Sequence, residues 1–177
     1  MANEFQRHKI DRAFRMLDVD GDGFLTEEDF ALLARRWTEL RTAGDHVVLR
    51  ETMLGWWRTL SAAADGADRV SLDDVLNVVD LLPTMPEAVH GTAEAMFAAV
   101  DANGDDEVDR GEYKQMVEAF SGRSTDTDTA FDRLDLDGNG RISREEFRAG
   151  WYEFWAGTDE SAPGGLLFGP VEVDRTG

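Results

Sequence analysis

Four times along the chain, an apolar-periodic segment leads into a loop dense in aspartate and glycine, and a second apolar-periodic segment follows. The 12-residue loops span 18–29, 63–74, 101–112 and 135–146. Internal repetition means that one supersecondary unit recurs, and each unit needs a neighbour to cover its apolar face. The repeat therefore constrains the fold to paired helix–loop–helix units.

The apolar spacing on both sides of each loop predicts helices. Before the first loop, Ile10, Phe14 and Leu17 recur at intervals of four and three residues, as one face of a helix requires. The same spacing flanks the other three loops. We therefore predict an all-α fold of eight helices, with short β-contacts between paired loops.

Two prolines divide the chain into halves. Pro83 and Pro86 fall between the second and third repeats, and proline ends helices and restricts the residue before it. The predicted divisions are an N-terminal pair of units at 1–82, a linker at 83–86, a C-terminal pair at 87–156 and a tail at 157–177.

The fourth loop has the oxygen ligands of a Ca²⁺ site. Ca²⁺ takes about six to eight oxygens, and a 12-residue loop supplies them from positions 1, 3, 5, 7, 9 and 12. The corresponding residues are Asp135, Asp137, Asn139, Arg141 through its backbone carbonyl, Ser143 and Glu146. Gly140 at position 6 permits the positive φ that turns the chain around the ion. Every position is filled as the chemistry requires.

The first loop matches this pattern until its last position. Its predicted ligands are Asp18, Asp20, Asp22, Phe24 through its carbonyl, Thr26 and Asp29. Because Asp29 is one methylene shorter than glutamate, bidentate coordination requires the loop to contract. We expect weaker Ca²⁺ binding at 18–29, or better tolerance of six-coordinate Mg²⁺.

The third loop departs from the pattern at position 6, where Asp106 replaces glycine. Its predicted ligands are Asp101, Asn103, Asp105, Glu107 through its carbonyl, Asp109 and Glu112. Aspartate adopts the left-handed conformation more readily than most residues, so the expected cost is about 1 kcal/mol. The third loop is therefore predicted to bind as well.

The second loop lacks ligands. Its positions 1 and 5 are Ala63 and Ala67, which leaves only Asp65, Ser71 and Asp74 to offer side-chain oxygens. We expect this unit to fold without binding a metal ion, so that the chain binds three Ca²⁺ ions. Its role would be to support the first loop.

Position 8 of each loop is apolar and predicts which loops pair. Val70 should lie against Leu25, and Val108 should face Ile142. Paired loops should bind cooperatively, most clearly the third and fourth. Without metal, the clustered ligand carboxylates repel one another, and Ca²⁺ removes that repulsion.

The charge balance excludes several classes of partner. The net charge is −19, whereas nucleic acids and anionic membranes are recognised by lysine and arginine. The absence of cysteine excludes disulfides, thiolate zinc sites and cysteine nucleophiles. No stretch has the apolar length of a signal peptide or a spanning helix, so we expect a cytoplasmic protein. We also expect a monomer.

These units resemble EF-hands, and four of them with the second lacking ligands resemble the sarcoplasmic calcium-binding proteins and the bacterial calerythrin group. The resemblance covers residues 5–156 and departs from the family pattern at Asp29 and Asp106. Members of that group are compact, mostly cytosolic proteins that are regarded mainly as calcium buffers or transporters. The resemblance implies a calcium buffer.

Two other functions stay open. A calcium sensor would expose an apolar groove to a basic or amphipathic protein target. A carrier would hold a luciferin-like small molecule in a calcium-dependent cavity, since luciferin-binding proteins and photoproteins share the four-unit layout. Helical spacing places the tryptophans either in the core or around such a cavity; they are Trp56, Trp57, Trp151 and Trp155.

We do not expect an enzyme, and the C-terminal tail has two possible roles. The spacing assigns nearly every clustered acid to a metal site, and His8, His46 and His90 form no Ser–His–Asp grouping. The tail carries an apolar Leu166–Phe168 run among glycine and proline. We hypothesise that it packs into the aromatic groove and replaces a target peptide, the alternative being a disordered end.

Overall fold

The computed structural model describes residues 2–40, 46–122, 124 and 126–169, and within them it contains eight α-helices, as predicted. The helices are α1 (Glu4–Leu17), α2 (Glu27–Leu40), α3 (His46–Ala63), α4 (Leu72–Leu81), α5 (Pro86–Val100), α6 (Arg110–Ser121), α7 (Asp128–Leu134) and α8 (Arg144–Ala156). Short 3-10 turns follow α4 at Leu82–Thr84 and α8 at Pro163–Leu166. Residues 170–177 of the predicted tail lie outside the described residues.

The loops pair through position 8, as predicted. Leu25 and Val70 exchange backbone hydrogen bonds of 2.8 and 2.9 Å. Strand β1 (Glu107–Val108) pairs antiparallel with β2 (Ile142–Ser143), in a register that sets Val108 opposite Ile142. All four position-8 side chains are buried. The first loop is thus joined to the second, and the third to the fourth.

Three of the helices that follow a loop begin with a capping box. At the start of α6, the Asp109 side chain accepts from the Glu112 backbone, and the Glu112 side chain accepts from the Asp109 backbone. Ser143 and Glu146 make the same exchange at α8. Such boxes satisfy N–H groups that a helix start leaves without partners. They also fix the position-12 acid in the first turn of the helix.

One hydrophobic core includes residues of all eight helices. Trp56 of α3 is partly buried and packs against this core, with ring centroids 5.5 Å from Phe30, 5.6 Å from Trp151 and 5.5 Å from Trp155. These contacts connect helices of the first two units with α8 of the last. Among the described residues, no helix combines the length and apolar character that crossing a membrane requires.

The chain after α8 returns to this core. Leu167 and Phe168 are buried, and Phe168 lies edge-on against Phe154, with ring centroids 4.8 Å apart. A side chain at Gly164 would bring its Cβ to 2.5 Å from the Gly150 carbonyl oxygen, so the close approach to α8 requires glycine there. The described part of the tail therefore belongs to the packed structure.

Candidate metal-binding loops

The fourth loop brings three predicted ligands together between α7 and α8. Carboxylate oxygens of Asp135, Asp137 and Glu146 lie within 4.8 Å of one another. Asp135 accepts hydrogen bonds from the backbone N–H groups of Asn139 at 3.2 Å and Gly140 at 2.8 Å. Glu146 accepts one from Asp137 at 3.2 Å. The backbone thus holds hard oxygen donors around one point, as a Ca²⁺ site requires.

The third loop has the same arrangement around Asp101, Asp105 and Glu112, whose carboxylate oxygens also lie within 4.8 Å of one another. Asn103 accepts from the Asp105 backbone at 3.0 Å. Asp106 has a φ of 66°, which confirms the left-handed conformation expected at position 6. Its N–H donates to Asp101 at 2.9 Å, so the strained residue directly supports the first ligand.

Glu112 is the buried acid of the third loop. Burial raises the pKa of its carboxyl, while hydrogen bonds from the Asp109 and Asn103 backbones lower it, and the charges of Asp109 and Asp101 add to the rise. Its carboxyl is therefore harder to ionise than that of a free glutamate. A bound cation would favour the ionised form and offset the repulsion.

The first loop brings together three of its four carboxylates. Oxygens of Asp18, Asp20 and Asp22 lie within 4.8 Å of one another, and Asp29 is not part of this group. Asp29 is buried and accepts from the backbone N–H groups of Val19 at 3.0 Å and Thr26 at 2.8 Å. The group at the fourth loop does include Glu146. The shorter side chain at position 12 therefore does not join the other three carboxylates where they converge.

The predicted ligands at positions 7 and 9 occupy equivalent places in these three loops. The N–H of position 7 donates to the side-chain oxygen of position 5 in each loop; the pairs are Phe24 to Asp22 (2.9 Å), Glu107 to Asp105 (3.0 Å) and Arg141 to Asn139 (2.8 Å). At position 9, Thr26, Asp109 and Ser143 hydrogen-bond to the position-12 acid or its backbone. The three loops thus share one backbone design.

The first position of the second loop is the last residue of a helix. Helix α3 continues to Ala63, and the Gly66 N–H donates to the Ser61 carbonyl at 2.8 Å. Asp74 accepts from the Ser71 backbone and hydroxyl, and these hydrogen bonds lower the pKa of its carboxyl. In the described part of the chain, no three acids of this loop converge as those of the other loops do.

The side chains of two arginines of the fourth loop form ion pairs with the third loop that the sequence did not predict. Arg141 is 3.6 Å from Asp109, and Arg144 pairs with Asp106. Each pair joins a residue of the fourth loop to one of the third. The sequence signal was an arginine within an acidic loop, but only the antiparallel register shows which acids it meets.

An apolar cavity of about 140 Å³ lies beside the core. Trp56, Trp151 and Trp155 are among the residues that line it. Trp57 is instead buried against Phe30, with ring centroids 5.8 Å apart. The four tryptophans therefore divide between cavity wall and core packing.

Comparison with known proteins agrees with this architecture. The model of the EF-hand domain pair matches residues 92–152, and the model of the EF hand domain matches residues 9–36. The luciferin-binding protein of Renilla reniformis is 28% identical over 176 residues, which cover 94% of this chain and 95% of that protein. The sarcoplasmic calcium-binding protein alpha-B and -A chains of Penaeus sp. are 27% identical, with coverage of 89% and 92%.

A solved structure shows the same fold. The coelenterazine-binding protein from Renilla muelleri, in its calcium-loaded apo form, superposes with a TM-score of 0.75 at 27% identity. The match covers 96% of this chain and 99% of that one. The chain binds Ca²⁺ and belongs to the EF-hand family, within which it is similar to the sarcoplasmic calcium-binding proteins.

Proposed function

We propose that this protein is a cytoplasmic calcium buffer that binds three Ca²⁺ ions, at loops 18–29, 101–112 and 135–146. The observation that carries the proposal is the convergence of three carboxylates in each of these loops and, among the described residues, in no fourth place. The proposed ligands are the residues at positions 1, 3, 5, 7, 9 and 12 of each loop. Loop 63–74 serves as the structural partner of loop 18–29.

The proposed mechanism couples ion binding to stability. Each binding loop holds several carboxylates close together, and their repulsion destabilises the ion-free state. An ion that binds only the folded state stabilises it by about 2.7 kcal/mol when its free concentration is one hundred times the dissociation constant. Ca²⁺ uptake would thus raise the free energy of unfolding of the protein.

A closed core supports a buffer over a sensor. A sensor opens on binding and exposes an apolar groove, whereas a buffer barely opens. Here the chain's own Leu167 and Phe168 fill the space beside α8, and Trp56 of α3 packs directly on α8. Opening would require these aromatic contacts to break. We therefore expect Ca²⁺ to change the exposed apolar surface little.

The second candidate function is a carrier of a small apolar molecule, which the cavity beside Trp56 and Trp155 favours. Two of the similar proteins are named for binding luciferin or coelenterazine. The cavity measures about 140 Å³, whereas pockets for drug-sized ligands span about 300–1,000 Å³. A cavity of this size matches a single aromatic ring. The volume of this cavity alone is therefore smaller than a luciferin-sized ligand requires.

Calorimetric titration with Ca²⁺ tests the three-site proposal. The wild-type protein should bind three ions, and Asp29→Asn, Glu112→Gln and Glu146→Gln should each weaken one site strongly. Asp74→Asn is the matched control, because it alters the same position in the second loop and should leave three sites. Binding of one or four ions, or loss of a site in the control, would contradict the proposal.

Two optical measurements separate the three functions. A hydrophobic dye should show little change in fluorescence on Ca²⁺ addition if the protein is a buffer, and a large increase would instead support a sensor. Titration with coelenterazine, followed by tryptophan quenching, tests the carrier. Tight Ca²⁺-dependent quenching would replace the buffer proposal with the carrier.

A further inference from the structure

Arg144 of the fourth loop reaches across to the third unit. It occupies position 10 of its loop and is the first residue of α8. Its guanidinium donates to Glu94 of α5 and to Asp106 of the third loop, and it lies 4.6 Å from the centroid of the Phe97 ring. One side chain thus contacts both the helix before the third loop and the loop itself.

The residue that Arg144 holds on the third loop is strained. Asp106 has a φ of 66°, a conformation that residues other than glycine adopt at a cost. Its backbone N–H donates to Asp101, the first ligand of the loop, at 2.9 Å. Its carboxylate is turned outward to the guanidinium. The contact with Arg144 therefore favours the loop conformation in which the Asp106 N–H donates to the Asp101 carboxylate.

Arg144 is also linked to the fourth site. Two residues further along, Glu146 supplies the last proposed ligand of the fourth loop, from the first turn of α8. A cation bound there would fix Glu146 and with it the start of α8. The guanidinium would then be fixed opposite Asp106 before the third loop takes its own ion.

We infer that Arg144 is a positioning residue that links the two sites. Ca²⁺ binding at the fourth loop fixes Arg144, and its contact with Asp106 then stabilises the ion-binding conformation of the third loop. The inference rests on the proposed sites at 101–112 and 135–146. It also accounts for aspartate at position 6, because glycine would relieve the backbone strain but could not accept from Arg144.

Arg148 offers the matched control. It lies one turn further along α8 and donates to Glu94, with Nε 3.1 Å from the carboxylate. Its contact with Glu94 joins α8 to α5 without involving Asp106. If Arg144 only fastens the two helices together, Arg144→Gln and Arg148→Gln should have equal effects. If Arg144 positions the third loop, only its own substitution should weaken that site.

Calcium titration calorimetry on the full chain tests the inference with four variants: Arg144→Gln, Arg148→Gln, Asp106→Gly and the Asp106→Gly/Arg144→Gln double variant. Arg144→Gln should weaken the third site about three- to fivefold, the scale of an exposed charge pair in a network, and should reduce its cooperativity with the fourth. Arg148→Gln should leave the third site unchanged. In the Asp106→Gly background, Arg144→Gln should cause no further loss.

The outcomes distinguish this inference from the proposed function. Equal losses in Arg144→Gln and Arg148→Gln, or an undiminished loss in the Asp106→Gly background, would overturn the inference while wild-type binding of three ions upholds the sites. Glu112→Gln marks which signal belongs to the third loop. If Glu112→Gln leaves wild-type binding unchanged, the third site does not exist and both proposals fail. Circular dichroism of the ion-free variants verifies that each is folded.

Discussion

The Tyr113 hydroxyl of α6 donates to the backbone carbonyl of Leu167, with the two oxygens 3.0 Å apart. The same hydroxyl lies 3.0 Å from the Leu166 carbonyl. Tyr113 is fully buried, and this burial raises the pKa of its phenol. A buried hydroxyl without an acceptor would destabilise the fold, so the segment after α8 satisfies a polar group of the third unit. It acts as part of the core.

Phe168→Ala should destabilise the protein and open the aromatic core. Phe168 is buried, with ring centroids 4.8 Å from Phe154 and 5.0 Å from Phe120. Replacing a buried phenylalanine by alanine lowers the free energy of unfolding by about 3–5 kcal/mol. Urea denaturation would measure this loss, and hydrophobic dye binding should rise because the space beside α8 becomes accessible.

Leu136→Ala is the control for this prediction, because Leu136 is 61% exposed and should change neither measurement. Removing residues 157–177 should raise dye binding as Phe168→Ala does. Unchanged dye binding in both tail variants would show that the segment does not keep the aromatic core closed.

Asp29→Glu should strengthen Ca²⁺ binding at the first loop and weaken its relative preference for Mg²⁺. The added methylene lets the position-12 carboxylate reach the group formed by Asp18, Asp20 and Asp22. Ca²⁺ gains from a bidentate glutamate, while Mg²⁺ keeps a six-coordinate shell. Calcium titrations with and without millimolar Mg²⁺ would measure the change. In the wild type, Mg²⁺ should compete at this loop more than at the other two.

Asp74→Glu makes the same change in the second loop and should create no site, because Ala63 and Ala67 supply no side-chain oxygens. A gain of binding in that control would show that position 12 alone decides affinity. An unaltered first site in Asp29→Glu would mean that the loop already contracts around its ion.

The loops could be predicted from the sequence because their chemistry is local. Ligand spacing, the position-8 contacts of Leu25 with Val70 and the left-handed conformation of Asp106 all depend on residues within one repeat or its partner. Contacts set by helix orientation could not be predicted. Arg144 and Asp106 are 38 residues apart, and Tyr113 and Leu167 are 54 apart. The first pair follows from the exact register of the paired loops, and the second follows only once the helices and the segment after α8 are placed.

Val70→Ala should weaken ion binding at the first loop although Val70 lies in the second. Its side chain is fully buried, and its backbone exchanges two hydrogen bonds with Leu25. Burying a whole valine side chain stabilises a fold by about 1.5–3 kcal/mol, so Val70→Ala should lower the free energy of unfolding by less than this. The loss weakens the contact that supports the first loop. Titration should show weaker binding at that loop and unchanged binding at the third and fourth. Equal weakening of all three sites would instead indicate general destabilisation.

Lys9 of α1 buries its amino group against the C-terminal end of α8. Its Nζ donates to the backbone carbonyls of Glu153 at 2.9 Å and Gly157 at 3.0 Å. Burial lowers the pKa of this amine from 10.5 to about 8, and the charge of Glu153 opposes the shift. Between these two values, the folded state holds fewer protons than the unfolded state. The free energy of unfolding should therefore rise with pH across this window.

Lys9→Met should abolish this rise. Urea denaturation of the ion-free protein at intervals from pH 8 to 9 would measure it, below the range where the ordinary pKa of tyrosine adds the opposite trend. Lys114→Met is the control, because Lys114 is about half exposed and its removal should leave the slope intact. A wild-type stability that stays flat or falls over this range, or a slope that survives in Lys9→Met, would show that Lys9 is not the group that titrates. The expected result would make the contact between α1 and α8 sensitive to alkaline pH.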